Sequence, residues 1–303
     1  MRRISLVISL FLLMGCGSAP QASTAVISLT HLEPLPVEAP TEVVPLRVAV
    51  AAVISPKGNV DSYSPLLSYL EQQMHRPVTL VQRRTYAEVN ELVKNGEVDL
   101  AFVCTSAYVS GASEFGMELL AAPQVDGETA YYSLLIVPAD SFVESMADLR
   151  GAVFAFTDPM SNSGRNYPTF LVQEMNETPE SFFSRTFFTY SHDDAIRAVA
   201  NHVADGAAVD SLVYDFAISR EPKLGEMTKI IHRSPPFGIP PVVIGPHVRP
   251  RMQAELESIL MEMNQTPAGQ TALAAAGIDQ FVPIEDTAYD SVRLLVNELN
   301  KTP

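Results

Sequence analysis

The stretch Thr157 to Pro168, TDPMSNSGRNYP, places Ser161, Asn162, Ser163 and Gly164 between an Asp-Pro breaker and an apolar run. At a helix N-terminus, free backbone N–H groups, two hydroxyls and an amide donate hydrogen bonds to an anion, and the helix dipole favours negative charge there. The same residue types make an ordinary N-cap, so this stretch alone does not separate cradle from cap. Pro168 bears on where the helix begins. With Ser163 as N-cap it deletes one backbone bond, whereas a later start makes it harmless.

His192 lies in the first turn of a second helical pattern, and Asp210 closes the strand AAVD. A histidine facing the same cleft donates to an oxyanion and makes affinity depend on pH through its own titration; a solvated polar residue is the alternative. Asp210 either takes a proton from the ligand or orients the donors, and it is equally the N-cap of a helix over 211–219. In the N-terminal half, Tyr63 precedes a helix expected from Ser64, and Cys104, Thr105, Ser106 and Tyr108 follow the strand VDLAFV. Such hydroxyls close a cleft over a polar ligand, although buried tyrosines also simply pack. Cys104 is either a small core residue or, as a thiolate, a ligand for a soft, thiophilic species. Ser163, His192 and Asp210 have the residue types of a nucleophilic triad. There is, however, no G-x-S-x-G elbow, Walker motif, H-E-x-x-H or Cys-x-x-Cys, so hydrolysis is set aside and neither metal nor cofactor is called for.

The elements that must hold these residues are short β-branched runs alternating with helical patterns. LRVAVAA (46–52), PVTLVQ (77–82) and VDLAFV (98–103) alternate with helices from Ser64 and over 86–95. The Ser64 helix has Ser64 as N-cap, Pro65 at its first position, and Leu66, Leu67, Leu70 and Met74 on one face. A second block has strands at 131–138, 152–157, 186–190 and 207–210, with a helix in SHDDAIRAVANHVADG. In that helix Ser191 and Asp194 read as a capping box, Ile196, Val199, Ala200 and Val203 as the buried stripe, and Gly206 as the stop. This alternation predicts an α/β fold of two lobes, each a mostly parallel sheet with flanking helices, joined by crossovers near 134–138 and 241–245. Ligands of such folds sit in the crevice at strand-exit loops, here 53–63, 104–108, 157–166, 191–193 and 210–214.

The chain has 303 residues, 47% of them apolar, which is enough for two cores; its net charge of -15 at pH 7 excludes nucleic acid as a broad surface partner. Arg2 and Arg3 precede an apolar stretch from Ile4 to Met14, too short to span a bilayer, and the Leu13–Cys16 sequence LMGC has the form of a lipobox. The expected organisation is a signal peptide over 1–16 ending at a lipidated Cys16, then a Ser/Thr/Ala/Pro-rich tether over 17–45. Lobe 1 follows over 46–135 plus 242–303, and lobe 2 over 136–241.

DPMSNSG…P (158–168), SHDDAIRAVANHVADGAAVDSLVYD (191–215), YSPLLSYL (63–70) and GIDQFVPIEDTAYD (277–290) together resemble the phosphonate-binding family of periplasmic solute receptors. The resemblance runs from Leu46 nearly to the end and implies a two-lobed, hinged type II receptor serving an ABC permease for phosphate, phosphite or phosphonate. It implies that Ser161 to Gly164 hold the oxyanion, with His192, Asp210, Tyr63 and Tyr108 around it, in a monomer exported to the periplasm or cell surface. The chain departs from the family where many members have Gly-Pro: here Cys104-Thr105 puts a thiol and a hydroxyl in the cleft wall. A cysteine near that place resembles members that sense arsenic oxyanions and signal to a membrane histidine kinase, which is the alternative reading.

Overall fold

The computed structural model describes residues 43–301 apart from Ile54; the expected signal peptide, lipidated Cys16 and most of the tether lie outside the described residues. The chain begins with β1 (Leu46–Val50), α1 (Pro56–Met74), β2 (Val78–Gln82), α2 (Tyr86–Lys94), β3 (Leu100–Phe102), α3 (Thr105–Phe115) and β4 (Glu118–Gln124). It crosses through β5 (Ala130–Tyr131) to β6 (Ser133–Pro138), β7 (Val153–Phe156), α4 (Tyr167–Gln173), α5 (Pro179–Phe182) and β8 (Arg185–Phe188). Next come α6 (His192–Ala200), β9 (Gly206–Asp210), α7 (Ser211–Arg220), α8 (Pro222–Met227) and β10 (Thr228–Arg233). The return passes through β11 (Phe237–Gly238) to β12 (Val242–Ile244), α9 (Pro250–Glu262), α10 (Pro267–Ala276), β13 (Gln280–Val282) and α11 (Asp290–Leu299). Among the described residues, no helix is long and apolar enough to cross a membrane.

Two sheets result, a six-stranded one in the order β13-β4-β12-β3-β1-β2 and a five-stranded one in the order β10-β6-β9-β7-β8. Helices cover both faces of each sheet, so the period-2 alternation of the strands sorts side chains between two apolar layers. Leu46, Val48 and Val50 of β1 join Leu66 and Leu70 of α1 and Leu256 and Leu260 of α9 on one face. Ala49 packs on the other face with Val89, Leu92 and Val93 of α2. In the second sheet Ala207 and Val209 face Ile196 and Val199 of α6, while Ala208 faces Phe154, Phe156 and Phe182.

Among the described residues, parallel pairing covers only β3-β1-β2 and β9-β7-β8. The strands beside each passage between sheets, β4, β6, β10 and β12, and the edge strand β13, pair antiparallel. The pattern is therefore mixed where a mostly parallel one was expected, because a strand leaving for the other sheet has no crossover helix to return it in parallel. The connecting segments are 125–132 and 234–241 rather than 134–138 and 241–245: Leu134 to Pro138 lie wholly within β6. The two connections pair with each other as β5 and β11, Tyr131 opposite Phe237 and Ala130 opposite Gly238.

Two helix boundaries differ from expectation. α1 begins at Pro56 after Ser55, an earlier copy of the Ser-Pro signature, and Pro65 sits inside the helix. Ser64 is no cap; its hydroxyl donates to the Val60 carbonyl at 2.5 Å, one turn back, next to the bond that Pro65 cannot make. α6 stops at Ala200, so Val203 is 55% exposed instead of completing the buried stripe, and Gly206 starts β9. The Ser191 hydroxyl donates to the Asp194 carboxylate at 2.8 Å and caps no helix N–H, so the two side chains meet each other in place of the expected capping box.

Candidate functional site

The loop leaving β7 turns into a π-helical turn over Asn162–Asn166, with Ser161 as its N-cap. Ser161 Oγ accepts the Gly164 N–H at 3.0 Å, and the Ser161 carbonyl accepts the Asn166 N–H at 2.9 Å. Pro168 is the second residue of α4 and offers no N–H to the turn behind it. The carbonyls left over are met from elsewhere: Ser133 Oγ donates to Ser163 O at 2.7 Å and Thr157 N–H to Gly164 O at 3.3 Å. The cap is thus Ser161 and not Ser163, and the turn is buried, with Ser161, Asn162 and Ser163 all almost inaccessible.

His192 stands across from this turn, its ring Nε2 at 3.4 Å from Ser161 Oγ. Its Nδ1 accepts the Asp210 backbone N–H at 2.9 Å, which places the ring proton on Nε2 and makes that nitrogen a donor. Burial pushes the imidazole down to about 3, so the ring is a neutral donor at any working pH. The expected titration of His192 is thereby overturned. The folded value lies below the ordinary one, so this residue costs stability as pH falls from about 6.5 toward 3 and contributes no change above that range. Nitrogen-detected NMR should show a single Nε2–H tautomer for His192 from pH 5 to 8; a ring titrating near 6.5 would overturn this assignment.

Asp210 is the N-cap of α7, its Oδ1 accepting the Leu212 N–H at 2.8 Å and the Val213 N–H at 3.4 Å. Desolvation raises its carboxyl to about 7, against the pull of those two N–H groups. Its backbone thus fixes the His192 tautomer, while its side chain faces the space between the lobes.

From lobe 1, Thr105 begins α3 and meets the second lobe through Tyr131: Thr105 Oγ1 and Tyr131 OH are 2.9 Å apart, and Asn162 Nδ2 donates to the same phenol at 3.1 Å. Ser106 donates to the carbonyl of Met160, next to the Ser161 cap. Cys104, the N-cap residue of α3, is buried and makes no side-chain cap bond; the backbone N–H groups of Ser106 in its own lobe and Asn162 in the other pull its thiol downward. Burial pushes the thiol up all the same, away from the thiolate that a thiophilic ligand needs. Tyr108 is not brought to this cluster; its hydroxyl donates to Asp286 at 2.5 Å, and its ring packs on Tyr289.

Further bonds seal the seam. The Asp158 carboxylate from lobe 2 accepts the Tyr86 N–H at the start of α2 at 3.1 Å, Val53 O accepts the His192 N–H at 2.9 Å, and the Arg84 guanidinium lies 4.2 Å from the Tyr190 ring centre. Beside the seam is a cavity of about 290 Å³ bounded by Asn59, Ser62, Tyr63 and Asp210, with Phe102, Phe216 and Ile278 on its apolar side. The sequence reading found Tyr63 and Asp210 but missed Asn59, Ser62 and the hub Tyr131. The first two fall in what was read as a loop ahead of Ser64, and Tyr131 was read only as part of a strand.

The sequence matches the family described as ABC transporter, phosphonate, periplasmic substrate-binding protein over residues 48–289. The chain belongs to this family of periplasmic substrate-binding proteins. Relatives of this phosphonate-type binding protein include the Phosphate-import protein PhnD of Mycolicibacterium smegmatis, 36% identical over 163 residues, which is 50% of this chain and 51% of that protein. The match thus spans about half of that relative. The Phosphonates-binding periplasmic protein of Escherichia coli is 24% identical over 281 residues, 90% of this chain and 83% of its own length. A binding protein component of an ABC phosphonate transporter from Pseudomonas aeruginosa superposes with a TM-score of 0.81 at 22% identity, covering 86% of this chain and 88% of that one. This likeness establishes the two-lobed receptor fold. The family is one of substrate binding for transport, in the periplasm, rather than of catalysis.

Proposed function

We propose that the protein captures a small oxyanion of the phosphonate, phosphite or phosphate type between its lobes and presents the closed form to an ABC permease, held at the membrane by a lipid on Cys16. The observation that carries this reading is the convergence of the Ser161 turn and the neutral Nε2–H of His192 in one buried seam. The ring N–H and the Gly164 N–H already fill the lone pairs of Ser161 Oγ, so its own proton is free to donate to an anion. Short, oriented donors in a dehydrated seam outweigh the net charge of -15, whose surface contributions are screened over about 10 Å. Closure brings contacts from both lobes to the ligand, and the ligand shifts the hinge equilibrium by that difference. The neutral thiol of Cys104 gives no advantage to a thiophilic ligand, so the transport reading is preferred to sensing.

A thermal-shift panel of phosphate, phosphite, methylphosphonate, sulfate and arsenate tests the reading, because a ligand that binds only the folded state stabilises it by RT ln(1 + [L]/Kd). At least one phosphorus oxyanion should raise Tm, and Ser161→Ala should weaken its binding in calorimetry by about 1–3 kcal/mol, roughly 5- to 150-fold. Unchanged affinity in that variant would remove the turn from the site.

A further inference from the structure

Asn59 and Ser62 lie three residues apart on α1, hence on one face, and each is 2% exposed. Each ends in a buried oxygen, Asn59 Oδ1 and Ser62 Oγ, that meets no partner among the described residues. The Asn59 amide nitrogen is already committed to the Ala51 carbonyl at 3.3 Å, which leaves its oxygen for something else. Unmet buried oxygens are costly and rare in folded proteins, and both of these line the same cavity as Asp210. The rest of the wall is chiefly apolar and includes Phe102, Phe216, Ile239 and Ile278. Asp126 and Asp215 also border it, whereas no lysine or arginine among the described residues does. The cavity's 290 Å³ is room for about ten water-sized groups, roughly twice what a bare tetrahedral anion fills.

We infer that the cavity houses an organic substituent of the captured anion: a mainly apolar group with a hydrogen-bond donor for Asn59 and Asp210 and no second negative charge. This rests on the proposed function and sharpens it from oxyanions in general to bulky organophosphonates. An inorganic anion leaves the apolar wall and both α1 oxygens unmet. A second carboxylate on the ligand is set against three aspartates on a wall that holds no lysine or arginine among the described residues.

Calorimetry of the full-length protein with phosphate, methylphosphonate, hexylphosphonate, 6-hydroxyhexylphosphonate and 3-phosphonopropionate tests this. Affinity should rise from methyl to hexyl by up to about fourfold per buried methylene, rise again with the hydroxyl tip, and fall for the carboxylate tip. Ser62→Leu, which fills the cavity from α1, should erase the gain for hexyl and leave methylphosphonate within about threefold. Ile278→Trp narrows the space from the opposite wall and should do the same if the α1 change unfolds the protein. Phosphate or methylphosphonate binding as tightly as hexylphosphonate overturns the inference and leaves the oxyanion reading standing. Binding of none of the five removes both.

Discussion

Replacing Gly164 by alanine should abolish tight oxyanion binding and lower stability by about 1–3 kcal/mol, a Tm loss of several degrees for a chain of this size. A Cβ at Gly164 would lie 1.9 Å from Thr157 Oγ1 and 2.7 Å from Thr157 Cγ2, with both side chains at the centre of the buried turn. No neighbouring flexible end yields, because Thr157 leaves β7 with its backbone tied to the Gly164 carbonyl. Relief by moving the turn would break the Gly164 N–H bond to Ser161 Oγ and take Ser161 away from His192. Thr157 Oγ1 is buried without a hydrogen-bond partner, so Thr157→Ala deletes the clashing oxygen while sacrificing no bond. The double variant should therefore recover part of the lost stability and affinity in urea unfolding and calorimetry. Simple additivity of the two changes would show that the close approach is not what makes glycine necessary.

Asp210→Asn should make the ligand-free protein more stable at pH 8 and leave it nearly unchanged at pH 4. The folded carboxyl, raised to about 7 by burial, lies above its unfolded value of about 3.9. A raised acid favours the protonated folded state, so its contribution is fully present below pH 4 and is lost as pH rises through 7. The full difference is on the order of 4 kcal/mol, at about 1.4 kcal/mol for each pH unit separating the two values. Asparagine keeps an oxygen for the Leu212 N–H and leaves the backbone N–H on His192 in place, so cap and tautomer survive. Oxyanion affinity should fall above pH 7 in the parent, as the carboxylate forms beside the anion, and stay flat in the variant. Melting curves and calorimetry across pH 4–8 measure both effects; a parent and variant with parallel stability profiles would show that Asp210 does not titrate in this range.

The layers of the fold were legible because they rest on local pattern. β1 is a short apolar run, α6 carries an apolar stripe, and the polar turn after β7 has the residue types of a cap. Where two equal local signals competed, tertiary packing chose: Ser55-Pro56 and Ser64-Pro65 are the same start signal, and the earlier one opens α1. That choice hid Asn59 and Ser62, since a residue read as loop has no face. Ser161, Asn162, His192 and Asp210 were singled out from strand ends and do converge. Tyr108 was singled out in the same way, yet its hydroxyl is claimed by Asp286, 178 positions away, a partner that no local pattern announces. Tyr131 illustrates the converse. It looks like an ordinary strand residue, and its importance comes from standing where the chain passes between lobes, with Thr105 on one side and Asn162 on the other.

Cys104 is buried where the backbones of Ser106 in one lobe and Asn162 in the other both bear on its thiol. An electrophile reaches it only after the halves part, so the pace of its alkylation keeps time for the open receptor, and any cargo that clamps the halves together slows that clock by the factor by which it depletes the open population.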